Sequence, residues 1–309
     1  MRAGRIVKLL SALLLTGGLT ACPEREASVP CPHPDPAFAW NQTVAITEII
    51  PRFSGSPGAE KSASRIAETA GSLPGFRVRV DVFRDQTPEG EKTFRNVIAE
   101  RPGKSEEFLV IGAHYDTKKL ATVPRFAGAN DSGSGVGALL AVMKAVSETK
   151  QTLPLTLKFV FFDGEEALID YSENDGFHGS RRCVAELKRN RRLRNCRAMI
   201  LLDMVGDRDL CLKLPSDTDP VLQSLVLRSA RELGYGSHAA SGGPLMLDDH
   251  TAFAKEGVPA VDLIDFSYGP GNLYWHTEGD TIDKISAESL GISAAIALKT
   301  IWKLMKLEP

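Results

Sequence analysis

The chain has 309 residues, of which 43% are hydrophobic and 25% are charged, and its net charge at pH 7 is −2. This is an ordinary globular composition that supports a substantial core, and the near-neutral charge argues against a nucleic-acid partner. The one basic cluster, residues 188–194, is interpreted as a solvated helix end, with binding to an anionic surface as the alternative.

The N-terminus resembles a bacterial export signal. Basic residues within the first eight positions precede an apolar stretch, residues 9–15, that is too short to span a bilayer. The sequence Leu19-Thr20-Ala21-Cys22 then resembles a lipobox, in which the cysteine is lipid-modified after cleavage; a free cysteine in an ordinary secretory signal is the alternative. We therefore expect a signal peptide over residues 1–21, a lipid on Cys22 and a Pro-rich tether over residues 22–40. The mature protein would be an exported lipoprotein, periplasmic or on the cell surface, that meets the membrane through its lipid anchor only.

Helical and extended patterns alternate along residues 41–309, which are predicted to form one domain. Residues 76–83 alternate like a strand, and residues 96–100 are predicted to pair with them around a polar turn at 87–92. Buried strands are predicted at residues 109–113, 155–162, 198–202 and 258–264. Helices are predicted at residues 41–53, 59–72, 134–149, 180–189, 220–233, 249–256 and 286–306. This alternation favours a single α/β domain with a central, mostly parallel mixed sheet flanked by helices.

The most informative segment is an apolar run that ends in paired carboxylates, Asp163-Gly164-Glu165-Glu166. Adjacent residues at a strand end point in different directions. One glutamate can therefore ligate a metal while its neighbour works as a general acid or base. The alternative is a helix N-terminus, where negative charge is favourable.

Four other segments also place a metal-binding side chain after an apolar run, and these side chains are His114, Asp131, Asp203 and His276. In open α/β sheets the loops at the carboxyl ends of the strands build the site, so these side chains are expected to converge with Glu166. A mixed set of imidazoles and carboxylates suits zinc.

Cysteine usage is consistent with an oxidising compartment. Four cysteines follow Cys22, at positions 31, 183, 196 and 211 (Cys31, Cys183, Cys196, Cys211). Cys183 and Cys196 are a candidate pair that would join a helix to the next strand, but sequence alone does not give connectivity. The chain has no Cys-x-x-Cys motif, which makes thiolate zinc and thioredoxin-like chemistry poor explanations.

Five motifs in order resemble those of the zinc aminopeptidase and glutaminyl cyclase superfamily, peptidase family M28. They are His-x-Asp at 114–116, Gly-Ala-Asn-Asp at 128–131, Glu-Glu at 165–166, Leu-Asp at 202–203 and His-Thr at 276–277. The resemblance runs from about Thr43 to Lys306, and it implies that residues 41–309 are a zinc-dependent catalytic domain.

Within this superfamily the chain is most similar to the animal-type glutaminyl cyclases. The features that carry this similarity are the segment 114–118 before a long loop, the extended segment 163–181, Asp248-Asp249-His250 and Trp275 directly before His276. The implied reaction converts the N-terminal Gln of a peptide or protein to pyroglutamate with release of ammonia. A zinc aminopeptidase is the alternative, and a catalytically idle surface lipoprotein that binds peptides is a third.

The resemblance also implies metal ligands, beside which simpler roles stay open. One zinc is expected at Asp131, Glu166 and His276, while His114 and Asp203 match the additional ligands of the two-zinc aminopeptidases. Asp131 as a helix cap and His276 as a core histidine are the alternatives.

The remaining roles concern proton transfer and the substrate. Glu165 is the implied proton-transfer residue, with Asp203 and Asp248 as partners in an acidic network; an N-cap is the alternative for Asp248. Trp275 and Tyr171 are candidate pocket walls, although Tyr171 stands where animal cyclases usually carry Trp, and core packing is the alternative for both. We expect Asp116 to orient His114 and His250 to form hydrogen bonds near the site.

Overall fold

The computed structural model describes Met1 and residues 29–307. The predicted signal peptide and the lipidation site Cys22 therefore lie outside the described residues. Among those described, no helix combines the length and the apolar character needed to cross a membrane.

A six-stranded mixed sheet forms the centre of the domain. Its strands are β1 (Arg77–Thr87), β2 (Gly90–Arg101), β3 (Phe108–His114), β4 (Thr156–Phe162), β5 (Cys196–Asp203) and β8 (Ala260–Ile264). The spatial order is β1-β2-β4-β3-β5-β8, in which β1, β2 and β4 pair antiparallel and all later pairings are parallel. The short strands β6 (Leu212–Leu214) and β7 (Ala239–Ser241) pair separately.

Helices cover both faces of this sheet. They are α1 (Pro36–Thr47), α2 (Pro57–Ser72), α3 (Gly135–Ser147), α4 (His178–Arg189), α5 (Pro220–Glu232), α6 (His250–Ala254) and α7 (Ala287–Leu304). On β3, Leu109 and Ile111 pack towards α1, α3 and α7, while Phe108 and Val110 pack towards α4 and α6. Because both faces are buried, the central strands read as continuous apolar runs. The predicted fold class is confirmed.

The N-terminal boundary of the folded domain differs from the prediction. Helix α1 begins at Pro36, and the Asp35 side chain accepts hydrogen bonds from the backbone N–H groups of Ala37 and Phe38. The tether predicted over residues 22–40 is therefore wrong for its last five residues, and the helix predicted at 41–53 ends early, at Thr47. An aspartate N-cap followed by proline is a helix start signal that outweighs the tether-like composition.

Other boundaries are also corrected. The predicted helix at 249–256 is only the short α6, and the hairpin strands β1 and β2 run up to a two-residue loop, Pro88-Glu89. The outer part of this hairpin is solvated, with Val80 and Val82 40% and 57% exposed. Its strands therefore lack the continuous apolar runs that mark the buried strands.

The predicted cysteine pairing is not formed in this structure. Cys183, Cys196 and Cys211 are free thiols. Cys183 on α4 and Cys196 at the start of β5 lie in the same buried cluster, where burial raises the pKa of each thiol to about 12. A disulfide between them stays a prediction.

Candidate metal and catalytic site

The site lies where three adjacent strands end. His114 is the last residue of β3, Asp203 is the last residue of β5, and the Asp163–Glu166 segment follows directly after β4. These strands are parallel and adjacent in the order β4-β3-β5, with His114 paired to Phe162. Their carboxyl ends therefore bring the three segments together. The two glutamates sit in a loop, and α4 begins only at His178, so they do not form a helix N-terminus.

Asp131 occupies the centre of the site, between two histidines. Its Oδ1 lies 3.3 Å from His114 Nε2, and its Oδ2 lies 3.2 Å from His276 Nε2. The backbone N–H groups of Asn130 and Asp131 donate to the Asp280 carboxylate at 2.8 and 3.1 Å, which fixes the turn that carries Asp131. Its carboxylate does not cap α3, whose N-cap position is Ser134.

Two sets of possible metal ligands share Asp131. The first is Asp131, Glu166 and His276, and the second is His114, Asp131 and Asp203; in each set the ligand atoms lie within 4.8 Å of one another. His276 Nε2 is 2.9 Å from Glu166 Oε1, and His114 Nε2 is 3.1 Å from Asp203 Oδ1. Carboxylate oxygens and imidazole nitrogens at this spacing fit a zinc ion.

The charges of these sets support cation binding. Burial alone would raise the pKa of Asp131, but its hydrogen bonds with His114 and His276 hold that pKa far below the ordinary value. Burial would lower the pKa of His276, yet hydrogen bonds with Asp131 and Glu166 raise it to about 10. The carboxylates around His276 thus favour a positive charge at this point, and a metal cation would supply it on binding to the deprotonated ligands.

Glu165 is buried beside the first set but does not belong to it. Its Oε2 lies 3.9 Å from His114 Nδ1, and the Tyr171 hydroxyl is 3.4 and 3.5 Å from its two carboxylate oxygens. Burial raises the pKa of Glu165 well above its ordinary value, and the negative charge of Glu166 raises it further. A carboxyl group with this property can hold a proton near neutral pH and give it up in a reaction.

Asp116 positions the two glutamates of the site at once. The backbone N–H groups of Glu165 and Glu166 donate to its Oδ1 and Oδ2, each at 3.2 Å. His114 Nδ1 lies 3.6 Å from Asp116 Oδ1, and Ser54 donates to Oδ2 at 3.1 Å. Asp116 therefore holds the backbone of the glutamate pair, while its carboxylate faces His114 Nδ1 without a hydrogen bond to it, so its role in orienting His114 stays a prediction.

A buried acidic cluster lies behind the reacting groups. Asp203, Asp248, Asp249 and Asp262 are all buried, and burial followed by the charge of Asp262 raises the pKa of Asp248 well above its ordinary value. No N–H or hydroxyl among the described residues donates to Asp262, which faces the Asp248 carboxyl group. Two carboxyl groups in this arrangement disfavour each other's ionisation, and the pKa of Asp262 is also raised well above its ordinary value. The sequence offered one sign of Asp262, a carboxylate inside the otherwise apolar strand β8.

The contacts of His250 and Asp248 differ in part from those that the sequence predicted. His250 lies behind Asp248, with Nε2 3.4 Å from Asp217 Oδ2 and Nδ1 4.0 Å from Asp262 Oδ2. The Asp248 carboxylate accepts from the backbone N–H of Asp249 at 2.5 Å, and the N-cap position of α6 is Asp249. Asp248 thus points to the acidic cluster, and the helix-cap alternative is not what the structure shows.

A small cavity of about 190 Å³ opens beside the metal ligands. Trp275 lines it and stacks on His276 with ring centroids 4.0 Å apart, and Tyr171 lines it from the other loop, stacked on Phe177 at 4.8 Å. Met246 and Phe266 complete an apolar wall that the sequence did not identify, because the loops that carry them are recognisable only once folded.

Arg52 is a buried group that sequence reasoning missed. Its Nε donates to the Tyr115 carbonyl at 3.0 Å, and its two terminal nitrogens donate to the carbonyls of Ala127 and Gly128. Burial lowers the pKa of Arg52 to about 10, although the negative charges of Asp280, Asp131 and Asp116 raise it in part. The guanidinium therefore joins the two ends of the loop between His114 and Asp131.

Replacement of this arginine is expected to destabilise the fold. Arg52→Met leaves three carbonyls without their donor and nearby carboxylates without a cation, a loss of about 3 kcal/mol in the free energy of unfolding. Chemical denaturation measures it. Arg84→Met is the control, because Arg84 is exposed and paired only with Glu91, and it should change stability by less than about 0.5 kcal/mol. Equal stability of the two variants would contradict the role given to Arg52.

Comparison with known proteins gives a consistent result. The model of peptidase family M28 matches residues 96–301. A glutaminyl-peptide cyclotransferase of Boiga irregularis is 28% identical over 292 residues, which cover 77% of this chain and 75% of that protein. The crystal structure of an Acidobacteriales bacterium glutaminyl cyclase superposes with a TM-score of 0.84 at 31% identity, covering 92% of this chain and 99% of that one. A leucine aminopeptidase precursor from Bacteroides thetaiotaomicron shares the fold, with a TM-score of 0.77 at 23% identity over 89% of this chain and 99% of that one.

Proposed function

The chain belongs to peptidase family M28, and from this we propose that it is a zinc-dependent glutaminyl cyclase, which forms pyroglutamate at the N-terminus of peptides and proteins. The observation that carries the proposal is the 31% identity to a glutaminyl cyclase over 92% of this chain. It is supported by a buried proton-transfer group, Glu165, beside a complete metal-ligand set and an aromatic cavity.

In this proposal Asp131, Glu166 and His276 hold one zinc ion. The bound ion would polarise the γ-carbonyl of the substrate glutamine as a Lewis acid. The two carboxylates and one imidazole would hold the ion as a three-residue ligand set, the number found in catalytic zinc sites generally. His114 and Asp203 complete a second set that would be occupied in a two-zinc aminopeptidase.

Glu165 moves the proton of the reaction. The α-amino nitrogen of the substrate glutamine attacks the carbonyl carbon of its own side-chain amide, Cδ, and Glu165 accepts the proton that this nitrogen loses. When the bond from Cδ to the amide nitrogen breaks, Glu165 gives the proton to the departing nitrogen and ammonia leaves. Burial, followed by the charges of Glu166, Asp249 and Asp116, raises the pKa of Glu165 against the lowering effect of His114. Asp203 and Asp248 are its proposed partners in the acidic network. Since ring closure is intramolecular, the protein mainly has to orient the chain.

The small cavity suits a glutamine side chain in a peptide. Trp275 and Tyr171 offer flat walls, and 190 Å³ is enough for one side chain. No lysine or arginine lines this cavity among the described residues, so the cavity itself suits the neutral side chain of glutamine. The substrate in this proposal is a peptide or protein N-terminus.

The test is to incubate the zinc-loaded protein with Gln-Ala and to follow the products by mass. We expect loss of one ammonia with the peptide bond intact. Free Gln and Ala would instead establish the aminopeptidase, for which the complete second ligand set is the favouring observation. Full metal occupancy without turnover of any such substrate would favour the third alternative, a catalytically idle lipoprotein that binds peptides.

We also propose that the protein is exported and anchored by a lipid on Cys22. The basic and apolar residues before the Leu19-Thr20-Ala21-Cys22 sequence support this. Expression of the full chain and of Cys22→Ser in a bacterium, with a labelled fatty acid, tests it. The label should enter the membrane-bound wild type and be absent from the variant; equal labelling would remove the proposal.

A further inference from the structure

A second and larger cavity lies next to the proposed active site. Its volume is about 450 Å³, and its walls come from the loop between β3 and Asp131, from the chain before α2, from the β1–β2 turn and from Leu168. The side chains that matter below are Phe53, Glu89, Lys118, Lys119, Leu120 and Phe126. The catalytic roles described above make no use of this space.

Two lining residues connect this cavity to the metal ligands. Lys118 Nζ lies 3.6 Å from Glu166 Oε2, and the Phe126 ring packs edge-on against His276 with centroids 6.3 Å apart. Glu166 and His276 also line the small aromatic cavity. Lys118 and Phe126, on the side of the large cavity, are therefore in contact with Glu166 and His276, on the side of the small one, so the two cavities are neighbours across this pair of contacts.

We propose that the large cavity binds the second to fourth residues of the peptide substrate. This inference rests on the proposed function, in which an N-terminal residue fills the small cavity and reacts beside Glu166 and His276. The continuation of the same chain then begins next to Lys118 and Phe126. Its volume falls in the range of about 300–1,000 Å³ that is typical of ligand sites, whereas the small cavity has room for one residue only.

The wall chemistry fits an extended peptide of neutral or acidic character. Lys118 Nζ donates to the Ala167 carbonyl at 2.7 Å, and an ammonium has three donors, so further N–H groups are available for a substrate carbonyl. Lys119 and Lys92 both pair with Glu89, at 2.5 and 3.1 Å. The lining therefore carries two lysines, Lys118 and Lys119, and one carboxylate, Glu89, which Lys92 also neutralises, beside an apolar wall that includes Leu120. A basic substrate segment is thus disfavoured.

The experiment compares a substrate that ends at glutamine with one that continues into the cavity. We would measure kcat/KM for glutaminamide and for the tetrapeptide Gln-Leu-Glu-Ala with wild type, Ala121→Trp and Thr122→Trp. Ala121 lines the cavity, whereas its exposed neighbour Thr122 does not, so Thr122→Trp is the matched control on the same loop.

We expect the wild type to prefer the tetrapeptide by about tenfold or more, and Ala121→Trp to remove that preference without changing kcat/KM for glutaminamide. Thr122→Trp should behave as wild type. Equal rates on both substrates in the wild type, or an equal loss on both in Ala121→Trp, would overturn the inference. If neither substrate releases ammonia, the proposed cyclase is contradicted instead. The rates at which the same three proteins hydrolyse the tetrapeptide would then show whether the large cavity binds it.

Discussion

Glu165→Gln should lower kcat for pyroglutamate formation by about a thousandfold while zinc stays bound. The amide has nearly the same shape as the carboxyl group, but it cannot accept the proton of the attacking amine or return it to ammonia. The proposed metal ligands Asp131, Glu166 and His276 are untouched, and the backbone N–H of residue 165 can still donate to Asp116. Removal of a buried carboxyl group beside Glu166 also relieves like-charge repulsion, so we expect no loss of stability.

Measurements of turnover and of bound zinc on the same preparation decide this prediction. Glu173→Gln is the matched control, since Glu173 is exposed and belongs to the same segment between β4 and α4; it should retain wild-type activity and metal. A Glu165→Gln protein that has lost its zinc would mean that the roles of Glu165 and Glu166 are exchanged. A variant with zinc and near-normal turnover would remove Glu165 from the chemistry.

Asp131→Ala should abolish both zinc binding and activity. Asp131 belongs to both ligand sets and stands between His114 and His276, so its removal leaves two histidines facing each other without the carboxylate that balances them. We expect zinc affinity to fall at least about a hundredfold, since even loss of a residue that only supports a ligand costs about 10- to 100-fold.

Titration of the metal-free proteins with zinc measures this loss. Wild type should bind one zinc per chain and regain its activity, whereas Asp131→Ala should do neither. Asp170→Ala, at an exposed position of the segment after Glu166, should match wild type. Two zinc ions per wild-type chain would favour the aminopeptidase, and tight binding by Asp131→Ala would place the metal elsewhere.

The sequence correctly predicted that residues at the ends of the buried strands come together in one site. His114 and Asp203 end buried parallel strands, and such strands are recognisable as short apolar runs. The topology rule for open sheets then places the strand ends together. Helix α1 was misplaced because its start depends on the local cap at Asp35, which competed with a proline-rich composition.

The groups that sequence reasoning missed depend on contacts between distant segments. Arg52 looks like an ordinary surface arginine until the fold buries it against the carbonyls of Tyr115, Ala127 and Gly128. Asp262 becomes part of the acidic cluster only because β8 lies beside β5, which carries Asp203. No local pattern encodes either contact.

The early start of the folded domain has a consequence for its position in the cell. The indole nitrogen of Trp302 donates to the Val29 carbonyl at 3.1 Å, so the chain is already attached to the domain at residue 29. If Cys22 carries a lipid, only six residues lie between the acyl anchor and that attachment, a reach of at most about 25 Å even when fully extended. The catalytic domain would then work close against the bilayer surface. Newly exported proteins would meet it there, as their N-termini emerge, before those N-termini reach the bulk of the compartment.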